Sequence, residues 1–84
     1  MDNIREKVEK IYREMSGTSD MNKEDEMDSI LKEASEKIAG SRKCLKFSND
    51  IDGDNFQIED GIVYVNHGCD PIKTLTGIIE KLVK

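Results

Sequence analysis

An α+β fold is what this sequence predicts: two N-terminal helices, a small, mainly antiparallel three-stranded sheet, and a C-terminal helix packed on one sheet face. Three observations carry that expectation. Apolar residues recur at helical spacing in three runs, Ile4 to Met15, Met27 to Ile38 and Ile72 to Val83. Between the second and third runs the period drops to two, at Leu45 and Phe47 and again from Phe56 to Val65. Within that last stretch stands Asp60-Gly61, between Phe56-Gln57-Ile58-Glu59 and Ile62-Val63-Tyr64-Val65. Such a pair is the strongest short-range hairpin signal, because a two-residue type I′ turn needs positive φ at both central positions. Pairing then sets Ile58 against Val63 and Phe56 against Val65, and alternation places all four on one face. That face is the expected core.

Taken in order, the first helix covers about residues 3–16. Asn3 is its N-cap and Glu6 the N3 partner. Ile4, Val8, Ile11, Tyr12 and Met15 form its apolar face, and Glu6/Lys10 and Glu9/Arg13 are favourably oriented pairs. Gly17 ends it, and Ser16 to Asn22 is a connecting loop. The second helix covers about 22–39, capped by Asp20 or Asn22, with Glu24, Asp25 and Glu26 at the positive end of its dipole. Met27, Ile30, Leu31, Ala34 and Ile38 make its stripe, and Gly40 stands where a left-handed C-cap belongs.

A strand over about 42–48 follows, then a turn-rich loop, Asn49 to Asn55, and hairpin strands at about 56–59 and 62–66. The last helix covers about 71–83, with Asp70 at N-cap and Pro71 at N1, where a missing N–H costs nothing. Gly77 inside it points to close packing of a strand.

Eighty-four residues make one domain, 1–84, with a thin core of Ile, Leu, Val and Met. That leaves little apolar matter for an enclosed substrate cavity. The net charge of −5 and the absence of a basic stripe argue against direct nucleic-acid binding. No apolar run approaches a membrane span, and the charged opening reads as helix rather than a signal peptide. A cytoplasmic protein with Cys44 and Cys69 reduced is the expectation.

Two places could hold chemistry. Asp50, Asp52 and Asp54 alternate as at the start of an EF-hand calcium loop, where hard oxygens meet a hard cation. The likeness stops there: the twelfth position is Gly61 rather than a bidentate Glu. A polar loop, with Gly53 supplying positive φ, is the plainer reading. The second place is His67-Gly68-Cys69-Asp70, which leads from a strand into a helix N-terminus. Cys69 with His67 is the one nucleophile–base pairing the sequence offers, since a helix end and an imidazole lower a thiol pKa. Against it, the Asp70 charge opposes thiolate formation and Pro71 removes an N–H donor. Cys44, Cys69 and His67 lack the spacing of a structural zinc site. No Walker-type loop, GxGxxG, HExxH or GxSxG occurs.

The sequence therefore points to an acidic interaction or regulatory module without catalytic activity or a required cofactor, such as an inhibitor docking on a basic protein surface. The alternative is a thiol-dependent or weak calcium-binding protein using His67 and Cys69 or the Asp50–Asp54 loop. Oligomerisation is left open.

Overall fold

The computed structural model describes residues 3–16 and 22–83. Helix α1 spans Ile4–Met15 and α2 spans Lys23–Ala34, continuing as one π-helical turn, Ser35–Ala39. Strands β1 (Cys44–Phe47), β2 (Phe56–Glu59) and β3 (Ile62–Val65) precede helix α3, Pro71–Leu82. The expected stop at Gly17, and Asp20 as an alternative cap, lie outside the described residues.

All three α-helices begin on a side-chain cap. Asn3 Oδ1 accepts the Glu6 amide at 2.7 Å, Asn22 Oδ1 the Asp25 amide at 2.8 Å and Asp70 Oδ1 the Lys73 amide at 3.1 Å. Each satisfies a donor the helix cannot, a contribution of about 1 kcal/mol.

The second helical run departs from a uniform helix at its end. Ser35 is fully buried, and its hydroxyl donates to the Leu31 carbonyl at 2.5 Å. That hydroxyl competes with backbone donors for the i−4 carbonyl, and the next turn is wider. The same oxygen accepts the Lys43 amide at 3.0 Å, tying the helix end to the approach of β1. Gly40 closes the segment at φ +70°.

The hairpin turns at Asp60 and Gly61 with φ +50° and +82°, and Ile58 pairs with Val63 and Phe56 with Val65. The sheet, however, is mixed rather than mainly antiparallel. Its order is β1-β3-β2, and β1 pairs with β3 in parallel, Leu45 opposite Val63. β3 is the most apolar strand, and the centre bonds both its edges. β1 and β2, carrying Lys46, Gln57 and Glu59, take the flanks. β1 is also shorter than expected, four residues rather than about seven.

Alternation decides the two faces. Val63, Val65 and Leu45 are buried, with Phe56, Ile58 and Phe47 half-buried beside them. They meet Met27, Ile30, Leu31 and Ala34 of α2, Leu75, Ile78 and Ile79 of α3, and Val8 and Ile11 of α1 in one core. Burying each larger aliphatic side chain contributes roughly 1.5–3 kcal/mol. The opposite face is bare: Cys44, Lys46, Gln57 and Glu59 are exposed, and Ile62 and Tyr64 half-buried. Gly77 brings α3 onto the hairpin, since a Cβ there would stand 3.2 Å from Phe56 Cε1.

Candidate functional site

Two loops meet at one end of the sheet, Ser48–Asn55 and Asn66–Asp70. Ile51 turns inward from the first and is buried, and its carbonyl accepts a hydrogen bond from Asn66 Nδ2. Asn66 Oδ1 accepts the Gly68 amide at 2.7 Å, and the Asn66 carbonyl accepts the Cys69 amide at 3.2 Å, folding the second loop into a turn. Asp54 Oδ1 accepts the Asp70 amide at 2.7 Å, and Lys73 Nζ lies 3.6 Å from Asp54 Oδ2. Asp70 therefore caps α3 while Asp54 holds Asp70. The amide bond, with Lys73 beside it, keeps the Asp54 carboxyl below the usual carboxylate range.

From the other side, Lys23 Nζ donates to the carbonyls of His67 at 3.2 Å and Cys69 at 2.9 Å. The loop is clamped from α2. Nearby, Tyr12 has its hydroxyl pKa raised by burial and by the Glu26 carboxylate.

The residues singled out by the sequence fall into this frame as follows. Cys69 is 2% exposed and belongs to the core cluster. His67 points elsewhere: its ring packs on Phe47, centroids 4.9 Å apart and tilted by 57°. No hydrogen bond joins Cys69 to His67 among the described residues. Cys44 lies on the bare face of the sheet, and both thiols are free. Asp50 and Asp52 are exposed, while Asp54 is committed to Asp70. Among the described residues no three His, Cys, Asp or Glu side chains are grouped so as to hold a metal ion.

The structure adds what the sequence reading missed, an asymmetry between the two sheet edges. β1 sends its Cys44 and Ser48 amides to the Gly61 and Val65 carbonyls, so the alternate amides face outward. Side chains of α2 meet them. Glu24 Oε2 accepts the Phe47 amide at 2.6 Å and Asp28 Oδ1 the Leu45 amide at 2.8 Å. Two carboxylates four residues apart on a helix are about 6 Å apart along its axis. That matches the ~6.6 Å between alternate residues of a strand.

β2 has no such cover. The Asp60-Gly61 turn makes Glu59/Ile62 and Gln57/Tyr64 the hydrogen-bonded pairs, so the N–H and C=O of Phe56 and Ile58 point away from β3. Nothing among the described residues bonds them. Against this edge, on the helical side, lies a groove of about 590 Å³ lined by Phe56, Gly77, Glu80 and Lys81. On the bare side is a smaller hollow of about 200 Å³ lined by residues that include Ser48, Asp50, Gln57, Glu59 and Tyr64.

Three acids of α1 and α2 have basic partners one turn away: Glu9 with Arg5 and Arg13, Asp28 with Lys32, and Glu33 with Lys37. Asp50, Asp52, Glu59 and Asp60 are exposed and form no ion pair with a described residue. Among the described residues no helix is long and apolar enough to cross a membrane. Comparison with protein-family models, with curated proteins and with solved structures finds no match to this chain.

Proposed function

We propose that this chain is a cytoplasmic interaction module that presents the acidic residues around the bare face of its sheet to a basic protein surface, and that it regulates by occupancy, as an inhibitor does, without catalysing a reaction. The observation that carries this reading is the unpaired charge of Asp50, Asp52, Glu59 and Asp60 around the open side of the sheet. Fixed charges of one sign raise association rates with an opposite surface and reject like-charged partners. The net charge of −5 extends that field and opposes direct contact with nucleic acid. The burial of Cys69 and the separate packing of His67 fit a role without a reactive thiol.

The test uses a variant neutralised at all four positions, Asp50→Asn, Asp52→Asn, Glu59→Gln and Asp60→Asn. Asparagine at position 60 tolerates the positive φ of the turn, so the hairpin survives. Wild-type chain immobilised against its native lysate at near-physiological salt is expected to retain a basic protein that raised salt releases and the variant loses. Equal recovery by both chains, or a partner insensitive to salt, contradicts the proposal.

A further inference from the structure

We infer that the open edge of β2 is a strand-acceptor site for an extended segment of a protein partner in which Lys or Arg alternates with apolar residues. This rests on the preceding reading that the partner is basic, and it names the contact. The two edges of this sheet are treated differently by the rest of the molecule. Exposed edges template pairing with other chains, and proteins blunt them by covering them, by shortness or by charge; β2 is short and acidic, which repels acidic strands and leaves the edge open to basic ones. Here α2 supplies two carboxylates to the outward amides of β1. The outward groups of Phe56 and Ile58 have no counterpart among the described residues. An added strand would find two N–H donors and two C=O acceptors already aligned, the main-chain basis of strand addition.

The side-chain requirement follows from what flanks the edge. Residues of an added strand alternate between the two sheet faces. On the helical face they meet the 590 Å³ groove lined by Phe56, Gly77, Glu80 and Lys81, where the Phe56 ring and the Lys81 stem offer apolar contact to an aliphatic side chain. On the bare face they meet Gln57 and Glu59, with Asp50 and Tyr64 behind them. Carboxylates directly across from Lys or Arg stabilise a strand pair, and like charges destabilise it.

The same charges find no counterpart in a second copy of this chain. Two β2 strands pairing antiparallel, with Phe56 opposite Ile58 of the copy, would set Gln57 against Gln57 and Glu59 against Asn55, so a copy brings no base to the carboxylates of this edge. The occupant is a basic partner strand.

The probe is an end-blocked octapeptide of alternating lysine and valine, titrated into the full chain at near-physiological salt while amide hydrogen exchange is read residue by residue. At saturation, exchange at Phe56 and Ile58 is expected to slow by about tenfold or more, with Gln57 and Glu59, already bonded to β3, almost unchanged. N-methylating one alternate set of the peptide's residues, the lysines or the valines, abolishes the protection, because one set carries the amides that face β2. A glutamate–valine peptide gives none. Binding of the lysine peptide without slowing at Phe56 and Ile58 would overturn the strand-acceptor assignment and leave the acidic-surface reading standing. Absence of peptide binding would overturn the assignment as well, whereas the fourfold neutralised variant retaining its lysate partner counts against the acidic surface instead. Protection that grows with protein concentration and no peptide would mean that a second copy takes the edge, also overturning it.

Discussion

The Asp28 carboxylate accepts the backbone amide of Leu45 at 2.8 Å, so a helix side chain finishes the hydrogen bonding of a strand edge. Removing the acceptor leaves a largely buried donor without a partner, which costs about 1–3 kcal/mol. Asp28→Ala is expected to lower the unfolding free energy by roughly that amount in denaturant titration. Asp28→Asn keeps an acceptor oxygen and loses less. Equal stability of Asp28→Ala and wild type would show that the contact is incidental.

Asp54 sets the acid response of the loop junction. Its carboxyl is held below the usual range by the Asp70 amide and by Lys73, so the unfolded chain binds its proton more readily than the folded one. The stabilisation is present above the ordinary carboxylate pKa and is lost as pH falls through the folded value. Asp54→Ala is therefore expected to be less stable than wild type at pH 7, with the gap closing below about pH 4. Thermal melts across that range check it; a gap that widens on acidification contradicts the assignment.

The two thiols should separate sharply in alkylation. Cys44 is exposed and Cys69 is buried under a loop clamped by Lys23. A thiol-specific reagent near neutral pH is expected to modify Cys44 at an ordinary rate and Cys69 at least about a hundredfold more slowly, through opening. Lys23→Ala, by releasing the carbonyls of His67 and Cys69, should speed only the second. Fast modification of Cys69 in the folded protein would return the nucleophile reading to force.

Gly77 offers a test at the groove. Alanine there gains about 1 kcal/mol of helix propensity, while its Cβ would stand 3.2 Å from Phe56 Cε1. Phe56 is half-buried on an edge strand and its ring can give by a few tenths of an ångström. Gly77→Ala is expected to leave stability within roughly 1 kcal/mol of wild type and to weaken lysine–valine peptide binding by narrowing the groove. A large loss of stability would show that Phe56 cannot yield.

Much of the architecture was legible because it is local. Asn3, Asn22 and Asp70 as caps, Gly40 as a left-handed stop, and the Asp60-Gly61 turn each follow from a few neighbouring residues, and the structure places them so. The order of strands was not legible. Alternation fixes which face a side chain takes, but not which strand lies beside which, so the parallel pairing of β1 with β3 needed coordinates. The Asp50–Asp54 spacing suggested a cation because it is regular, yet Asp54 finds its partner in the Asp70 amide, sixteen residues on. Glu24 and Asp28 were visible as acids at helical spacing. Their role as strand caps depends on α2 packing beside β1, which no local pattern encodes. Ile51, read as part of a polar loop, is core for the same reason.

Native-state hydrogen exchange of the free chain tests the difference between the sheet edges most directly. The Leu45 and Phe47 amides are expected to be protected to the level of the interior strand, while Phe56 and Ile58, whose amides face away from β3, exchange at close to unprotected rates. Comparable protection at all four amides would contradict it.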